Sequence, residues 1–242
     1  MQPTYLPYLG FFQLMANVDE YVVLNDVQFA KPSWQMRNRI RTPYHYNKAL
    51  KDTVGWVWLT VPTRYAQQGS AERLLFNVLI DYPTMWNLDH MDTIIHYYKK
   101  APFFDEVLPL FGDVINRPWS RLYGLNLTLI NNMRDYLEVK TPMTIDSALP
   151  YDREVSKSKR LANLVEAMGG DVYVEPEGGK KFLEVEPFEE RGIEVYFQKF
   201  FPYGYKQLWD GPFVSHMSAL DAMFCMGKVA KNLIKDMEVV KA

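Results

Sequence analysis

The chain has very little cysteine: Cys225 alone, in the apolar run from Ala222 to Met226. No disulfide within the chain can form, which fits a reducing compartment. Histidine is also scarce, at four residues. His45, His90, His96 and Cys225 show no metal-ligand spacing, so no metal is expected. No apolar run reaches the roughly 18 residues of a membrane-spanning helix. The opening MQPTYLPYLG lacks the basic stretch and apolar segment of a secretory signal. The expectation is a cytoplasmic protein without a membrane span. Neither sign of charge dominates, with a net charge of -2. No global attraction to nucleic acid or to an anionic membrane follows. A Gly-x-Ser-x-Gly elbow, a Cys/His nucleophile pair, a repeat and a low-complexity tract are all missing.

The chain does contain enough apolar residues for a real core. Of its 242 residues 48% are hydrophobic and 23% charged, the balance of a globular protein with one large domain or two small ones. Aromatic residues reach 15%, with 16 Tyr, 14 Phe and 6 Trp. Two readings stay open: a Tyr/Phe-rich core, or an aromatic-lined cleft for a sugar or a nucleobase.

Periodicity orders the chain. Phe11, Leu14, Met15 and Val18 mark an amphipathic helix after Pro7, and residues 21–24 a short buried strand. Residues 25–54 read as a polar and aromatic loop. Residues 56–61 alternate as a strand stopped by Pro62, and residues 74–80 are a second candidate, ended by Asp81, Tyr82 and Pro83. Three helical stripes follow: Leu88, Met91, Ile95 and Tyr98; Val107, Leu110, Phe111 and Val114; Leu122, Leu125, Leu129 and Met133. Strand patterns return at 143–145, 171–174 and 193–197. A helix stripe through Leu161 and Leu164 ends at Gly169-Gly170, and a last helix starts near Ser218. Strands at both ends with helices between predict an α/β fold, a Rossmann-like sheet with a helical insertion in the middle of the chain. The core then comprises 1–83 and 141–242 and carries the site; 84–140 is the insertion.

Six segments carry candidate chemistry. Residues 2–10 form a proline-fixed loop, with Gln2, Tyr5 and Tyr8, that delivers a helix N-terminus, a ready anion site where Gly10 permits close approach. A plain Pro-rich helix entry is the alternative. Asp26 and Gln28 follow a strand, where ligands of open α/β sheets sit; a bland turn fits equally. Trp34, Gln35, Arg37, Asn38 and Arg39 form the densest polar cluster. If the backbone is extended, Gln35, Arg37, Arg39 and Arg41 share one face that could clamp a phosphate or carboxylate, with Trp34 stacking on a ring. A solvated basic edge is the alternative. Lys157 and Arg160 could meet phosphates where Ser156 or Ser158 caps a helix. Gly178 and Gly179 could form a substrate loop, although their spacing matches neither the dinucleotide fingerprint nor the P-loop. Finally, His216 is placed for a general base, and Ser218 caps the last helix beside it.

The pieces QPTYLPYLGFF, NDVQF, WQMRNRI and WLTVP, followed by KSKRL, GGKKFL and MSALD, together resemble the WbqC-like family. That family is associated with gene clusters for bacterial O-antigen and other surface polysaccharides. The resemblance covers nearly the whole chain. It implies an enzyme or accessory protein of surface-glycan (lipopolysaccharide) biosynthesis and carries no catalytic residue across. Family members have a short apolar strand before the Gln-Pro motif. Here Met1 abuts Gln2, so either the start lies upstream of Met1 or that strand is absent. The strand-loop-helix-strand order is also similar to nucleotidylyltransferase-type folds, which hold ATP phosphates at this loop. Tyr8-Leu9-Gly10-Phe11 occupies the place of their His-x-Gly-His without either histidine. This second similarity is fold-level analogy only.

Two functional expectations follow. One is a transferase that modifies a nucleotide-linked amino sugar by acyl or aminoacyl transfer to the amine. The Gly10 backbone, Arg37 and Arg39 would bind phosphate, Trp34 or Tyr5 would stack, and Asp26 or His216 would take the proton. ATP or an activated acyl donor is implied, because amide formation from a free carboxylate is uphill. The other is a non-catalytic accessory protein of the same pathway that binds a sugar nucleotide or a partner. Either way the ligand is a nucleotide-linked sugar or another anionic small molecule; oligomerisation is left open.

Overall fold

The computed structural model describes residues 1–64, 74–82 and 85–242. The expected boundary of the insertion at 83/84 lies outside the described residues, as does Pro83. The chain is mixed α/β. Its described strands fall into three two-stranded sheets and one three-stranded sheet rather than one continuous layer.

Helix α1 spans Leu9–Ala16, and every residue from Leu9 to Met15 is buried. The expected amphipathic helix is therefore a core helix, apolar around nearly its whole circumference. Strand β1, Tyr21–Val23, follows it. It runs parallel to β6, Met143–Ile145, with Tyr21 opposite Met143 and Val23 opposite Ile145. Met1 pairs on the other side of β1: its amino group donates to Val22 O at 2.5 Å, and Leu24 N donates to Met1 O at 2.9 Å.

Within the loop expected over 25–54 the chain builds strand β2, Arg37–Asn47, which pairs as a long antiparallel hairpin with β3, Asp52–Thr60; the latter contains most of the strand expected at 56–61. Its strands are polar on one side because the arginines of β2 face the tryptophans of β3. Arg39 stands opposite Trp58, and Arg41 opposite Trp56. Such cross-strand pairs stabilise a sheet without an apolar alternation to announce it. The candidate strand at 74–80 is a short turn of 3₁₀ helix at Leu75–Asn77 followed by β5, Leu79–Ile80, which pairs with β4, Thr63–Arg64.

Helices α2 (Trp86–Tyr98), α3 (Phe104–Ile115) and α4 (Leu122–Tyr136) follow. The stripes expected for α3 and α4 face the core. In α2 the buried face is Trp86, His90, Ile94 and Tyr98, whereas Leu88 and Ile95 are exposed. A polar His90 inside the true stripe hides it from a reading of apolar spacing alone. Helix α5, Lys157–Ala167, leads to β7 (Val172–Pro176), the short α6 (Glu186–Glu189) and β8 (Glu194–Lys199). Strands β7 and β8 are parallel. The last helix, α7 (Ala219–Met226), stops at Gly227, whose φ of +60° breaks it into a 3₁₀ stretch. Strand β9, Glu238–Lys241, closes on β8. One core joins Phe11, Leu59, Ile94, Leu129 and Phe224; a smaller one joins Ala162, Phe188, Ile193, Val195 and Phe197.

Candidate functional site

The opening segment is fastened onto the tryptophan–arginine stretch. Tyr5 N donates to Trp34 O at 2.9 Å, Asn38 Nδ2 to Leu6 O at 2.6 Å, and Gln35 Nε2 to Gln2 Oε1 at 2.7 Å. Asn126 Nδ2 of α4 donates to Gln35 O at 2.7 Å. Gln35 and Asn38 are buried, and their amides are used up in these bonds, so both hold the frame rather than a ligand. Tyr5 is fully buried, with its hydroxyl 2.8 Å from His90 Nδ1. It stands in the core and not on the surface where stacking was expected. Gly10 is also enclosed. A Cβ added there would lie 2.8 Å from the Phe200 ring and would overlap the Tyr8 ring. Its carbonyl accepts from Gln198 Nε2 at 2.9 Å. The glycine is required by close ring packing, and side chains fill the space an anion would have used.

What this frame displays is a face of tryptophans and arginines. Trp34 is 47% exposed, with its ring 5.4 Å from that of Trp58, and Trp56 meets Trp58 edge-on at 5.3 Å. The Arg37 guanidinium lies 4.1 Å above the Trp58 ring. That of Arg39 sits among three rings, 5.0 Å from Trp56, 5.5 Å from Trp34 and 5.8 Å from Trp58. Among the described residues neither arginine has an acidic partner. Arg39 Nε is buried without a hydrogen-bond partner, and burial holds the Arg39 pKa below its usual value. An N–H in this condition costs free energy until an acceptor reaches it. Cation–π attraction holds both guanidiniums beside the indoles, where neither is neutralised by a carboxylate and an anion would be attracted.

His216 adjoins this face. Arg39 Nη2 donates to His216 O at 3.3 Å, Ser218 N donates to Arg39 O at 2.9 Å, and Ala219 N donates to Pro7 O at 2.8 Å. Three segments therefore meet at the start of α7. Ser218 is buried there and caps the helix through Leu220 N, which leaves its hydroxyl to the helix and not to a substrate. The His216 backbone is left-handed, at φ +57°. Its ring stacks on Tyr8 with centroids 5.9 Å apart and meets Phe200 edge-on at 5.7 Å. Nδ1 lies 2.9 Å from Ser215 Oγ. Partial burial, and then the Arg39 charge, lowers the His216 pKa. The imidazole is neutral near pH 7 and able to accept a proton. Burial raises the Tyr8 pKa, so its phenol stays protonated. Beside them a shallow aromatic depression, with room for about one water, is lined by Tyr8, Phe200, Tyr203, Phe213 and His216, among others.

A buried network behind the face escaped the sequence reading. Arg41 was expected to share the face of Arg37 and Arg39. It is wholly buried instead, donating to Thr42 O, Gly55 O, Gln207 Oε1, Trp209 O and Asp210 O. The buried Asp221 accepts from Tyr98 at 2.6 Å, Tyr205 at 2.5 Å and Gln207 at 2.8 Å. Gln207 bonds both backbone groups of Val214. Arg41 and Asp221 thus pin residues 205–214, which lead into His216. The alternation of Arg37, Arg39 and Arg41 could not show that a distant loop covers only the last of them.

Asp26 and Arg160 belong to another group of contacts, at the carboxyl ends of β1 and β6. Arg160 lies 3.0 Å from the buried Asp146 and 3.6 Å from Asp26, and donates to Asp26 O and toward Tyr151. Asn25 N donates to Asp146 Oδ1 at 2.9 Å. Arg160 is thereby an internal clamp rather than a free phosphate ligand, and Asp26 is its partner. Lys157 is exposed above Phe182. Gln28 is exposed and pairs with Leu74. Gly178 faces open space, while Gly179 is packed against the Glu175 side chain. No group of three or more candidate metal ligands occurs among the described residues. No described helix is long and apolar enough to cross a membrane.

The family model of the WbqC-like proteins matches residues 2–233. The uncharacterized protein Rv1507c of Mycobacterium tuberculosis is 30% identical over 237 residues, covering 97% of this chain and 96% of that protein. No solved structure matches with significance.

Proposed function

The chain belongs to the WbqC-like protein family, and from that premise we propose an enzyme of bacterial surface-glycan biosynthesis that acylates the amine of a nucleotide-linked amino sugar. One observation carries the reading: Arg37 and Arg39 lie on tryptophan rings without acidic partners, and Arg39 bonds the backbone of a neutral His216. The arginine edges take the diphosphate, and Trp34, the most exposed of the three indoles in that group, stacks on the base or the sugar. The amine attacks the carbonyl carbon of an activated acyl donor and a C–N bond forms. The donor's leaving group departs with its bonding electrons, and His216 Nε2 takes the proton shed by nitrogen. Asp26 is left with its clamp role. The parallel pairs β1–β6 and β7–β8 are read as parts of a Rossmann-like layer behind the site. The cytoplasm, where such donors are made, is the proposed location.

The openness of the face favours a second reading, a binding protein of the same pathway that performs no chemistry. Incubating the protein with a panel of nucleotide-linked amino sugars and acyl thioesters, and weighing the products, separates the two. The transferase reading expects a new amide that His216→Ala abolishes while sugar-nucleotide binding persists. Binding without any amide, unchanged by His216→Ala, supports the accessory role. No binding by any sugar nucleotide removes both.

A further inference from the structure

We propose that the open groove between the end of α4 and the 3₁₀ stretch Gly227–Ile234 is a second ligand site, for an organic phosphate with at least two negative charges, and that Glu138 holds one of its lysines until that ligand arrives. The groove shares no lining residue with the tryptophan–arginine face, so the inference stands apart from the function proposed above.

The lining gathers cations from two distant segments: Lys140 just after α4, and Lys231 and Lys235 late in the chain. Only Lys231 has an acidic partner among the described residues, with Nζ 2.6 Å from Glu138 Oε2. Lys140 and Lys235 are exposed and meet no described carboxylate. Arg134 adds a further charge. Its Nη2 donates to Val139 O and Thr141 O, both residues of the lining, and it too lacks an acidic partner. Glu138 is the one acid in the lining. Lys231, and then Lys228 and Lys140, hold its carboxyl below the usual pKa.

Glu138 stands there against two local disadvantages. It is the residue just past the cap of α4, left-handed at φ +57°, a position that favours glycine. It also puts a negative charge at the negative end of a helix. The lysines are not needed to satisfy that end, because the carbonyls of Met133, Arg134 and Asp135 accept from the N–H groups of Leu137, Val139 and Glu138. The surplus of cations is what accommodates the carboxylate, so the groove already draws an anion.

The space is about 460 Å³, within the roughly 300–1,000 Å³ of small-molecule sites. An inorganic phosphate would leave most of it empty; a phosphorylated sugar or a nucleotide would fill more. Ala16, Leu137, Val139 and Ile234 give the carbon part of such a ligand an apolar floor, and Thr141 adds the one uncharged polar side chain. Carbonyls that would repel an anion are engaged: those of Val139 and Thr141 by Arg134, and that of Ile234 by Asn17 Nδ2 at 3.0 Å.

The test is calorimetric titration of the full-length protein with fructose bisphosphate, with fructose as the neutral control and phosphatidylglycerol vesicles as the membrane control. The bisphosphate should bind, more weakly as salt rises, and fructose should not. Lys140→Ala and Lys235→Ala should each weaken binding by up to about fivefold. Glu138→Gln should tighten it by a similar factor, because Lys231 is freed. These three side chains are exposed, so the core is untouched. The Arg37→Ala, Arg39→Ala double variant should bind the bisphosphate as the wild type does. No binding, or binding that the lysine variants leave unchanged, overturns the site. So does bisphosphate binding lost in the double arginine variant, which would place the phosphates on the other face. Weaker binding by Glu138→Gln overturns its displacement by ligand, and binding to the vesicles alone overturns the small-molecule occupant.

Discussion

Arg39 reaches across from β2 to the carbonyl oxygen of His216, 3.3 Å away and 177 residues later in the chain. A single guanidinium thus joins the hairpin that carries the tryptophans to the loop that carries the only histidine lining the aromatic depression. The same contact explains part of the lowered His216 pKa, since the Arg39 charge disfavours a second cation beside it.

Arg37→Ala and Arg39→Ala should each weaken binding of a nucleotide-linked sugar by about 10- to 150-fold, the worth of one charge-assisted hydrogen bond of about 1.5–3 kcal/mol. Arg39→Lys should recover little, because an ammonium neither stacks as a plane among three indoles nor offers a fork. Tryptophan fluorescence titration reads both effects, and circular dichroism checks the fold.

Asp221→Asn should lower stability by about 1–3 kcal/mol, because an amide cannot accept from all three of its donors. For a chain of this size that is a melting point lower by about 2–12 °C. Hydrogen exchange should quicken first in residues 205–216, which the Arg41–Gln207–Asp221 network holds. Calorimetry combined with peptide-level exchange measures both.

Arg160→Ala should cost about 3–5 kcal/mol by leaving the buried Asp146 without its cation. It should barely change sugar-nucleotide affinity. A large loss of affinity with unchanged melting would mean that Arg160 meets the ligand and not only its two aspartates.

His90 supplies a pH dependence. Burial pushes its pKa down to about 4, against a partly opposing hydrogen bond to the Thr60 backbone. The folded state therefore resists protonation that the unfolded chain accepts near pH 6.5. Stability contributed by this group is intact above that value. It falls as pH drops from about 6.5 to about 4, by about 3 kcal/mol in all. Denaturant melts of the wild type and His90→Gln across this range should converge as pH falls; parallel curves would refute the assignment.

Much of the architecture can be read from residue spacing. The stripes of α3, α4 and α5 follow from apolar spacing, and the strands at 143–145 and 193–197 from alternation. The hairpin strand β2 was hidden because its face is arginine, held by indoles rather than by apolar neighbours. The opening loop meets the Trp34–Arg39 stretch through backbone and amide groups that carry no local sign of being spent there. Tyr5, Gly10, Gln35, Asn38 and Ser218 read as ligand contacts because buried polar framework and exposed recognition draw on the same residue types. Gln207 and Asp221 left no local signal, and the alternation that drew attention to Arg41 misplaced it, since the network that unites the three spans residues 41 to 221. The two-residue spacing of Arg37 and Arg39 places them together beside the indoles, but the same spacing failed for Arg41, and nothing local in Trp34 or His216 shows that they adjoin that face.

The most direct test of the account is a titration of the wild-type protein with UDP-linked amino sugars, following indole fluorescence at low and high salt. The account predicts saturable quenching that weakens with salt and disappears in the Arg37→Ala, Arg39→Ala double variant, which still folds. A fluorescence change that survives the double variant, or none with any sugar nucleotide, would contradict it.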